Sequence, residues 1–243
     1  MKRKKVSVII PAFNEGKYID KLLSKIFSVN LEKLKIIKEI IYINDGSNDN
    51  TRIKLNKYKK IIKIHQKNKG KGYAVQKGIK KSTGDYILVQ DADLEYDPKD
   101  YTRLLKPFMN KQKIAVYGTR YKGYSKSSYN FFNYNRQYFG PIFFNFILSL
   151  YFFLLYGIFI SDLLTGYKVY EKSFFHKMYI KSSGFEADHE ITINLIKKKY
   201  KIIEVPIKYF PRTFAEGKKI NFTDAIKAIF IITKMRFSSQ KLK

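Results

Sequence analysis

Two periodicities alternate through the first half of the chain, and that alternation restricts the fold more than any other feature. Short apolar runs occur at residues 6–10, 39–43, 61–65, 86–89 and 115–117. Between them lie stretches with helical spacing, at 17–28, 49–57, 72–81 and 98–110. Strands joined by helices cross over instead of pairing as hairpins, which builds a mostly parallel sheet with helices on both faces. The expectation is an α/β fold. In open sheets of this kind, ligands bind outside the carboxyl ends of the strands.

The run at 86–89 is followed at once by QDADLEYDP, which puts Asp91, Asp93, Glu95 and Asp97 within seven residues of a chain whose formal net charge is +28. Asp97 before Pro98 is accounted for as the N-cap and first-turn proline of the next helix. Asp91 and Asp93 are not, since without a cation they repel one another. Hard oxygens at i and i+2 just beyond a strand suit Mg²⁺ or Mn²⁺, with Glu95 as a third ligand, and a divalent ion bridging to a diphosphate stabilises a leaving group.

IPAFNE closes the first strand and INDGSNDNT the second. Asn14, Glu15, Asp45 and the Asp91–Asp93 pair are therefore expected around one crevice. Asp45 can accept from a base N–H or a ribose hydroxyl, and Gly46 allows close approach of the chain. KNKGKGYAVQKG is a Gly/Lys loop opening a helix, a usual place for phosphate or base contacts. GxxxxGK[ST] is absent, and no GxGxxG follows the first strand, which disfavours an NTPase or a dinucleotide enzyme.

The 48 Lys and Arg against 20 Asp and Glu suggest a polyanionic partner, although a biased composition gives the same excess. Lysine is spread along the whole chain without a nucleic-acid motif, so no nucleic acid partner is expected. The lack of Cys and the presence of only three His exclude disulfides and make a zinc site improbable. MKRKKVSVIIP reads as a basic leader to the first strand, not a secretory signal, because its apolar run stops at Pro11.

Residues 138–160 contain no charge and only Asn145 and Ser149 as polar residues. A bilayer span needs about 20 apolar residues. Gly140, Pro141 and Gly157 interrupt the segment, and a single span would put DLLTGYKVY on the opposite side of the bilayer from QDADLEYDP. The expectation is one helix, or two short ones, lying in a membrane interface or capping an acceptor groove, with a wholly buried core helix as the alternative. A helix at 186–199, a strand at 202–209, the loop FPRTFAEGKKI and an amphipathic helix at 221–237 follow. In the last of these Ile226, Ile229, Phe230, Thr233 and Phe237 read as a core face, with membrane contact as the second option. The division expected is 1–220 as one catalytic domain, donor half 1–120 and acceptor half 121–220, followed by a C-terminal helix at 221–243.

VSVIIPAFNE, INDGSNDNT, NKGKGYAVQKG, TGDYILVQDADLEYDP and YGTRY, in this order, resemble glycosyltransferase family 2 with the GT-A fold. More narrowly they resemble the dolichyl-phosphate mannose synthase-like and polyprenyl-phosphate glucosyltransferase branch. The likeness continues through DLLTGYKVY, GFEADHEIT and VPIKYFPRTFAEGKKI, to about Lys219. It implies that Pro11, Phe13, Asn14 and Glu15 surround the nucleotide, that Asp45 binds its base, and that Lys71 and Ala92 belong to the donor site. Asp91 and Asp93 match the DxD metal motif, and Glu95 stands where a Gln is frequent. Arg120, Arg136 and Arg212 match positions for a lipid phosphate, with Lys218 nearby. RTFAEGKKI departs from the RxxGxSK form of eukaryotic-type mannose synthases, which leaves sugar and nucleotide open.

The activity so implied is inverting, Mg²⁺- or Mn²⁺-dependent transfer of mannose or glucose from a GDP- or UDP-hexose to a polyprenyl phosphate. The enzyme would be peripheral or interfacially anchored at the cytoplasmic face of the membrane. Asp93 and Arg212 are the catalytic candidates. Asp188 joins them as a base if the acceptor is instead a sugar hydroxyl of a surface polysaccharide or glycolipid, because hydroxyl-acting members carry an acid near Glu186, Asp188 and Glu190. His189 is assigned a structural role. A sugar nucleotidyltransferase would need a Gly-rich first loop, absent after Ile10.

Overall fold

The computed structural model describes residues 3–121, 139–212 and 222–238. Seven strands form one sheet: β1 (Lys4–Ala12), β2 (Ile36–Asp45), β3 (Ile62–Gln66), β4 (Tyr86–Val89), β5 (Ile114–Thr119), β6 (Lys168–Glu171) and β7 (Lys201–Pro206). The helices are α1 (Ile19–Ser28), α2 (Thr51–Asn56), α3 (Lys71–Lys81), α4 (Tyr101–Leu105), α5 (Phe139–Tyr156), α6 (Ala187–Lys197) and α7 (Phe222–Phe237). The strand order is β3-β2-β1-β4-β6-β5-β7. β1 lies between β2 and β4, parallel to both, and is buried on both faces, as the unbroken apolar run of a central parallel strand requires.

Side chains alternate across the sheet, so each strand feeds two cores. Val6, Val8 and Ile10 pack with Leu22, Leu23 and Ile26 of α1 and with Leu104 and Leu105 of α4. Ile9, Ile41, Ile43 and Val89 point the other way, into a core closed by α3, α5, α6 and α7. The α/β fold and mostly parallel sheet expected from the sequence are present. The exception is β6, within DLLTGYKVY, which runs antiparallel to both β4 and β5.

Three other expectations are corrected. The helix expected at 98–110 is broken: only Tyr101–Leu105 is α-helical, between two 3₁₀ turns, because Pro107 cannot donate to the helical ladder. Asp97 does cap this region, accepting from the Lys99 amide at 3.2 Å. The last strand ends at Pro206, and the chain beyond it docks on the loop after β4 through a Tyr96–Tyr209 bridge and a 2.7 Å bond from the Phe210 amide to the Glu95 carbonyl.

The third correction concerns α7, which packs beside α5. α5 is a single helix that tolerates Pro141 in its first turn and stops at Gly157, whose φ is +72°. It is not wholly buried. Its two polar residues, Asn145 and Ser149, face inward beside Leu148 and Phe152, while Phe143, Phe146, Ile147, Leu150, Phe153 and Leu154 face outward. In α7 the core stripe is Ala228, Ile232 and Met235, whereas Ile226, Ile229, Phe230 and Phe237 are exposed. The two helices are tied by a 2.6 Å hydrogen bond between the Tyr151 and Thr233 hydroxyls and by Tyr156 donating to the Ile232 carbonyl at 2.9 Å. No helix among the described residues is long and apolar enough to cross a membrane.

α3 approaches β1 closely at Gly78, where an added Cβ would stand 2.5 Å from Ile9 Cγ2 and 3.0 Å from Ile43 Cδ1. Both are core side chains with stiff, branched stems. Gly78→Val is expected to lower folding stability by about 1–3 kcal/mol through overpacking, read as a drop in the urea midpoint.

Candidate active site

The carboxyl ends of β1, β2 and β4 open into one crevice of about 250 Å³. Gln90 sets its floor. Completely buried, its amide oxygen accepts from the Tyr101 and Tyr167 hydroxyls at 2.8 and 2.6 Å, and its amide nitrogen donates to the Asp91 carbonyl at 2.9 Å. The backbone entering Asp91 is thereby held before any ligand arrives. Gly166 closes over it from the segment before β6: a Cβ there would overlap Asp91 Oδ2.

Pro11, Phe13, Glu15, Asp45, Lys71, Asp91, Ala92, Asp93, Glu95, Arg120, Asp188 and Arg212 all line this crevice. Asn14 does not. It stitches the ends of β1 and β2 together, its amide donating to Ser47 Oγ at 2.9 Å and its Oδ1 accepting from the Asn48 amide at 2.8 Å. Arg136 and Lys218 lie outside the described residues. Asp45 is already engaged with the glycine loop, accepting from Gln66 Nε2 at 2.6 Å and from the Lys69 and Gly70 amides at 2.9 Å. Its first task is thus to shape the loop that opens α3, and its one remaining acceptor direction is on Oδ2.

Cations are brought to the acids from two directions. Lys71, in the first turn of α3, pairs with Asp91 at 2.5 Å. Arg212 pairs with Asp93 at 2.9 Å and with Glu15 at 3.3 Å. Burial works against the Lys71 ammonium, yet the charges of Asp91 and Asp188 outweigh it and hold its pKa above the usual range. The Asp93 carboxyl is pushed up to about 7 by burial and by the charges of Asp91 and Glu95, against the pull of Arg212. The surroundings of Asp93 therefore stay net negative even with a guanidinium beside it.

Glu95 does not join a three-carboxylate cluster. The chain turns through Leu94 at a φ of +65°, and Glu95 then accepts from the Tyr209 hydroxyl at 3.0 Å and the Arg212 amide at 2.8 Å. Among the described residues no three His, Cys, Asp or Glu side chains are grouped to hold a metal by themselves. The donor set still fits Mg²⁺ or Mn²⁺: Asp91 and Asp93 offer hard oxygens whose mutual repulsion Lys71 and Arg212 offset only in part, and a bound diphosphate would supply further oxygen ligands. Glu95 serves instead as the fastener of the 209–212 segment.

Arg120 is committed to a buried partner the sequence reading left unassigned. Its Nε and Nη2 donate to Asp162 at 2.8 and 2.7 Å, its backbone amide donates to the same carboxylate at 2.9 Å, and its guanidinium stacks 4.9 Å from the Tyr209 ring. Lys168 was likewise missed. On β6, cross-strand from Val89 and Tyr117, it is buried to 1% exposure with its ammonium 3.5 Å from Asp188. Burial would raise the Asp188 pKa, but Lys168 and Lys71 outweigh it and the net shift is downward. A charged residue within the apolar run of β6 is the signal in the sequence that would have found it.

The profile of the family described as Glycosyl transferase family 2 matches residues 7–182. The chain belongs to glycosyl transferase family 2. It is 33% identical over 224 residues to a dolichol-phosphate mannosyltransferase of Pyrococcus furiosus, a match covering 88% of this chain and 59% of that protein. It is 27% identical over 258 residues to a UDP-N-acetylglucosamine–dolichyl-phosphate N-acetylglucosaminyltransferase of Methanococcus voltae, covering 97% and 98%. These relatives agree with the polyprenyl-phosphate branch that the motifs resemble. The fold is that of glucosyl-3-phosphoglycerate synthase from Mycobacterium tuberculosis, solved with Mn²⁺, UDP and glucosyl-3-phosphoglycerate (TM-score 0.67, 15% identity, 96% of this chain and 80% of that one). This family 2 enzyme therefore has the GT-A architecture, and its crevice lies at the sheet end where the acids and Lys71 converge.

His189, next to Asp188 on α6, is 3% exposed, and its Nδ1 has no hydrogen-bond partner among the described residues. Burial and the Lys168 charge lower its pKa from 6.5 to about 3. The folded protein thus refuses a proton that the unfolded chain takes up, so its stability falls as pH drops below about 6.5, by up to about 1.4 kcal/mol per unit. His189→Gln is expected to remove that component, seen as a smaller loss of urea midpoint between about pH 7.5 and pH 5.5 than in the wild type.

Proposed function

We propose that the protein transfers a hexose from a nucleotide sugar to a polyprenyl phosphate at a membrane surface, with inversion at the anomeric carbon. The observation that carries this reading is the inverted amphipathicity of α5. Its polar residues are buried, while an apolar face that includes Phe146 and Leu154, 53% and 73% exposed, is open to the surroundings. With the exposed Ile226, Ile229 and Phe230 of α7 beside Lys227 and Lys234, it suits an anionic bilayer better than water.

That face is coupled to the crevice. Buried Asn145 of α5 donates to the Ser161 carbonyl at 2.9 Å and accepts from the Leu164 amide at 3.1 Å. The segment so held carries Asp162, which fixes Arg120, and Leu164 and Gly166, which line the crevice. A lipid entering from the bilayer would present its phosphate to the side of the crevice where Arg120 lies.

Asp188 supports a phosphate acceptor over a hydroxyl. A general base works best with a pKa near the working pH, and the lysines beside Asp188 move its pKa the other way. A phosphate monoester, with a second pKa of about 6, needs no base at neutral pH. Its oxygen attacks the anomeric carbon as the bond from that carbon to the nucleoside diphosphate breaks. A bound Mg²⁺ or Mn²⁺ supplies charge stabilisation to the departing diphosphate. Asp91 and Asp93 would hold the ion, Lys71 would keep Asp91 oriented, and arginine would position the acceptor.

Two outcomes test the reading. Purified protein with Mn²⁺, polyprenyl phosphate and radiolabelled UDP- or GDP-hexose is expected to yield organic-phase label, and Asp93→Ala to reduce it by about 100-fold or more without loss of the cooperative melt. Donor hydrolysis without organic-phase label would move the acceptor to a hydroxyl. For the membrane surface, Phe146→Ser combined with Phe230→Ser is expected to abolish flotation with anionic vesicles, and unchanged flotation would remove α5 and α7 from the contact.

A further inference from the structure

The Arg212 guanidinium sits among the donor-site acids. Its side chain is 11% exposed, with Nη2 2.9 Å from Asp93 Oδ2, Nη1 3.3 Å from Glu15 Oε2 and Nε 3.9 Å from Glu95 Oε1. The placement is built in, because Glu95 accepts from the Arg212 amide and the Tyr209 hydroxyl and so delivers the side chain to Asp93. It is also incomplete. The Nε–H is buried and has no hydrogen-bond partner among the described residues, although Nη1 and Nη2 donate to Glu15 and Asp93 and the Tyr18 ring lies 5.6 Å from the guanidinium.

Asp93 Oδ1 already accepts from the Glu95 amide at 3.1 Å, which leaves Oδ2 as the freer oxygen for a divalent ion, and there the dication would meet the Arg212 guanidinium, whose Nη2 is 2.9 Å away. The two cations repel one another at that separation, and the dication with hard-oxygen preference is the stronger partner once a diphosphate completes its ligands. The displaced guanidinium stays within reach of the crevice, where its fork geometry matches a phosphate.

We propose that Arg212 is the resident counter-cation of the donor site: it neutralises Asp93 while the site is empty, leaves when a divalent ion and nucleoside diphosphate bind, and only then engages the acceptor phosphate. Only the last of these steps rests on the lipid-phosphate reading above.

Removing the resident cation should strengthen binding of a free metal ion, the reverse of what a merely structural role gives. Mn²⁺ binding to the protein without nucleotide, followed by the paramagnetic resonance of free Mn²⁺, is compared for wild type, Arg212→Ala, Arg212→Gln and Arg212→Lys. Both neutral variants are expected to bind Mn²⁺ about fivefold tighter or more, with Arg212→Lys near wild type. Arg212→Gln keeps part of the side chain's bulk should the alanine variant fail to melt cooperatively. Unchanged or weaker Mn²⁺ binding in a folded neutral variant overturns the proposal.

Farnesyl phosphate is then titrated with and without Mn²⁺ plus UDP or GDP. Wild-type affinity is expected to rise about tenfold with metal and nucleotide, and the rise to vanish in Arg212→Gln. Equal wild-type affinity in both states overturns that last step. If farnesyl phosphate never binds while the neutral variants still gain Mn²⁺ affinity, the lipid acceptor is wrong and the counter-cation role stands.

Discussion

Four carboxylates can crowd the end of β4 only because the fold brings cations to them. Asp91, Asp93 and Glu95 share a half-buried crevice with Glu15, and like charges at that spacing in a low-dielectric environment would drive the loop apart. Lys71 comes from the first turn of α3 and Arg212 from the segment that leaves β7. Each acid then has a distinct role. Asp91 is oriented by Lys71, Asp93 is paired with Arg212 in surroundings that stay net negative, and Glu95 is used up in fastening the segment that carries Arg212.

The antiparallel strand β6 is what completes the site. Inserted between β4 and β5, it places Gly166 against Asp91, Asp162 against Arg120 and Lys168 under Asp188. Three charged or close contacts thus come from the seven residues 162–168 of one connection. Through Asn145 the same connection is pinned to α5, whose outward face is apolar. The exposed apolar face of α5 and the crevice are therefore joined by a short, hydrogen-bonded segment. The buried bidentate pair of Arg120 and Asp162 gives that segment its rigidity, because separating the two ions would leave each without compensation in the core.

The strands and the order of the motifs were legible because their signals are local. The Tyr86–Val89 strand coincides with its apolar run, and the Asp97 cap follows from two adjacent residues. The site residues at the ends of β1, β2 and β4 could be grouped from the sequence alone, since parallel strands joined by crossovers must align their carboxyl ends. What misled the reading was helical spacing. In α7, Ile226, Ile229 and Phe230 form an apolar stripe, as Ala228, Ile232 and Met235 do; only the second packs against the core. In α5 the apolar residues run all round, so periodicity carries no direction.

Sequence by itself determined the alternating α/β architecture, the crevice at the strand ends and the acids that gather there, because each is set by backbone periodicity and by charge within a few residues. Tertiary structure alone decided which cation meets which acid. Glu95 and Arg212 are separated by 117 residues, Lys71 and Asp91 by 20, and Arg120 and Asp162 by 42, and nothing in local spacing ranks these pairings against others. Coulombic attraction does not depend on order along the chain, so the partners of a buried charge are fixed only when packing sets the distances between them.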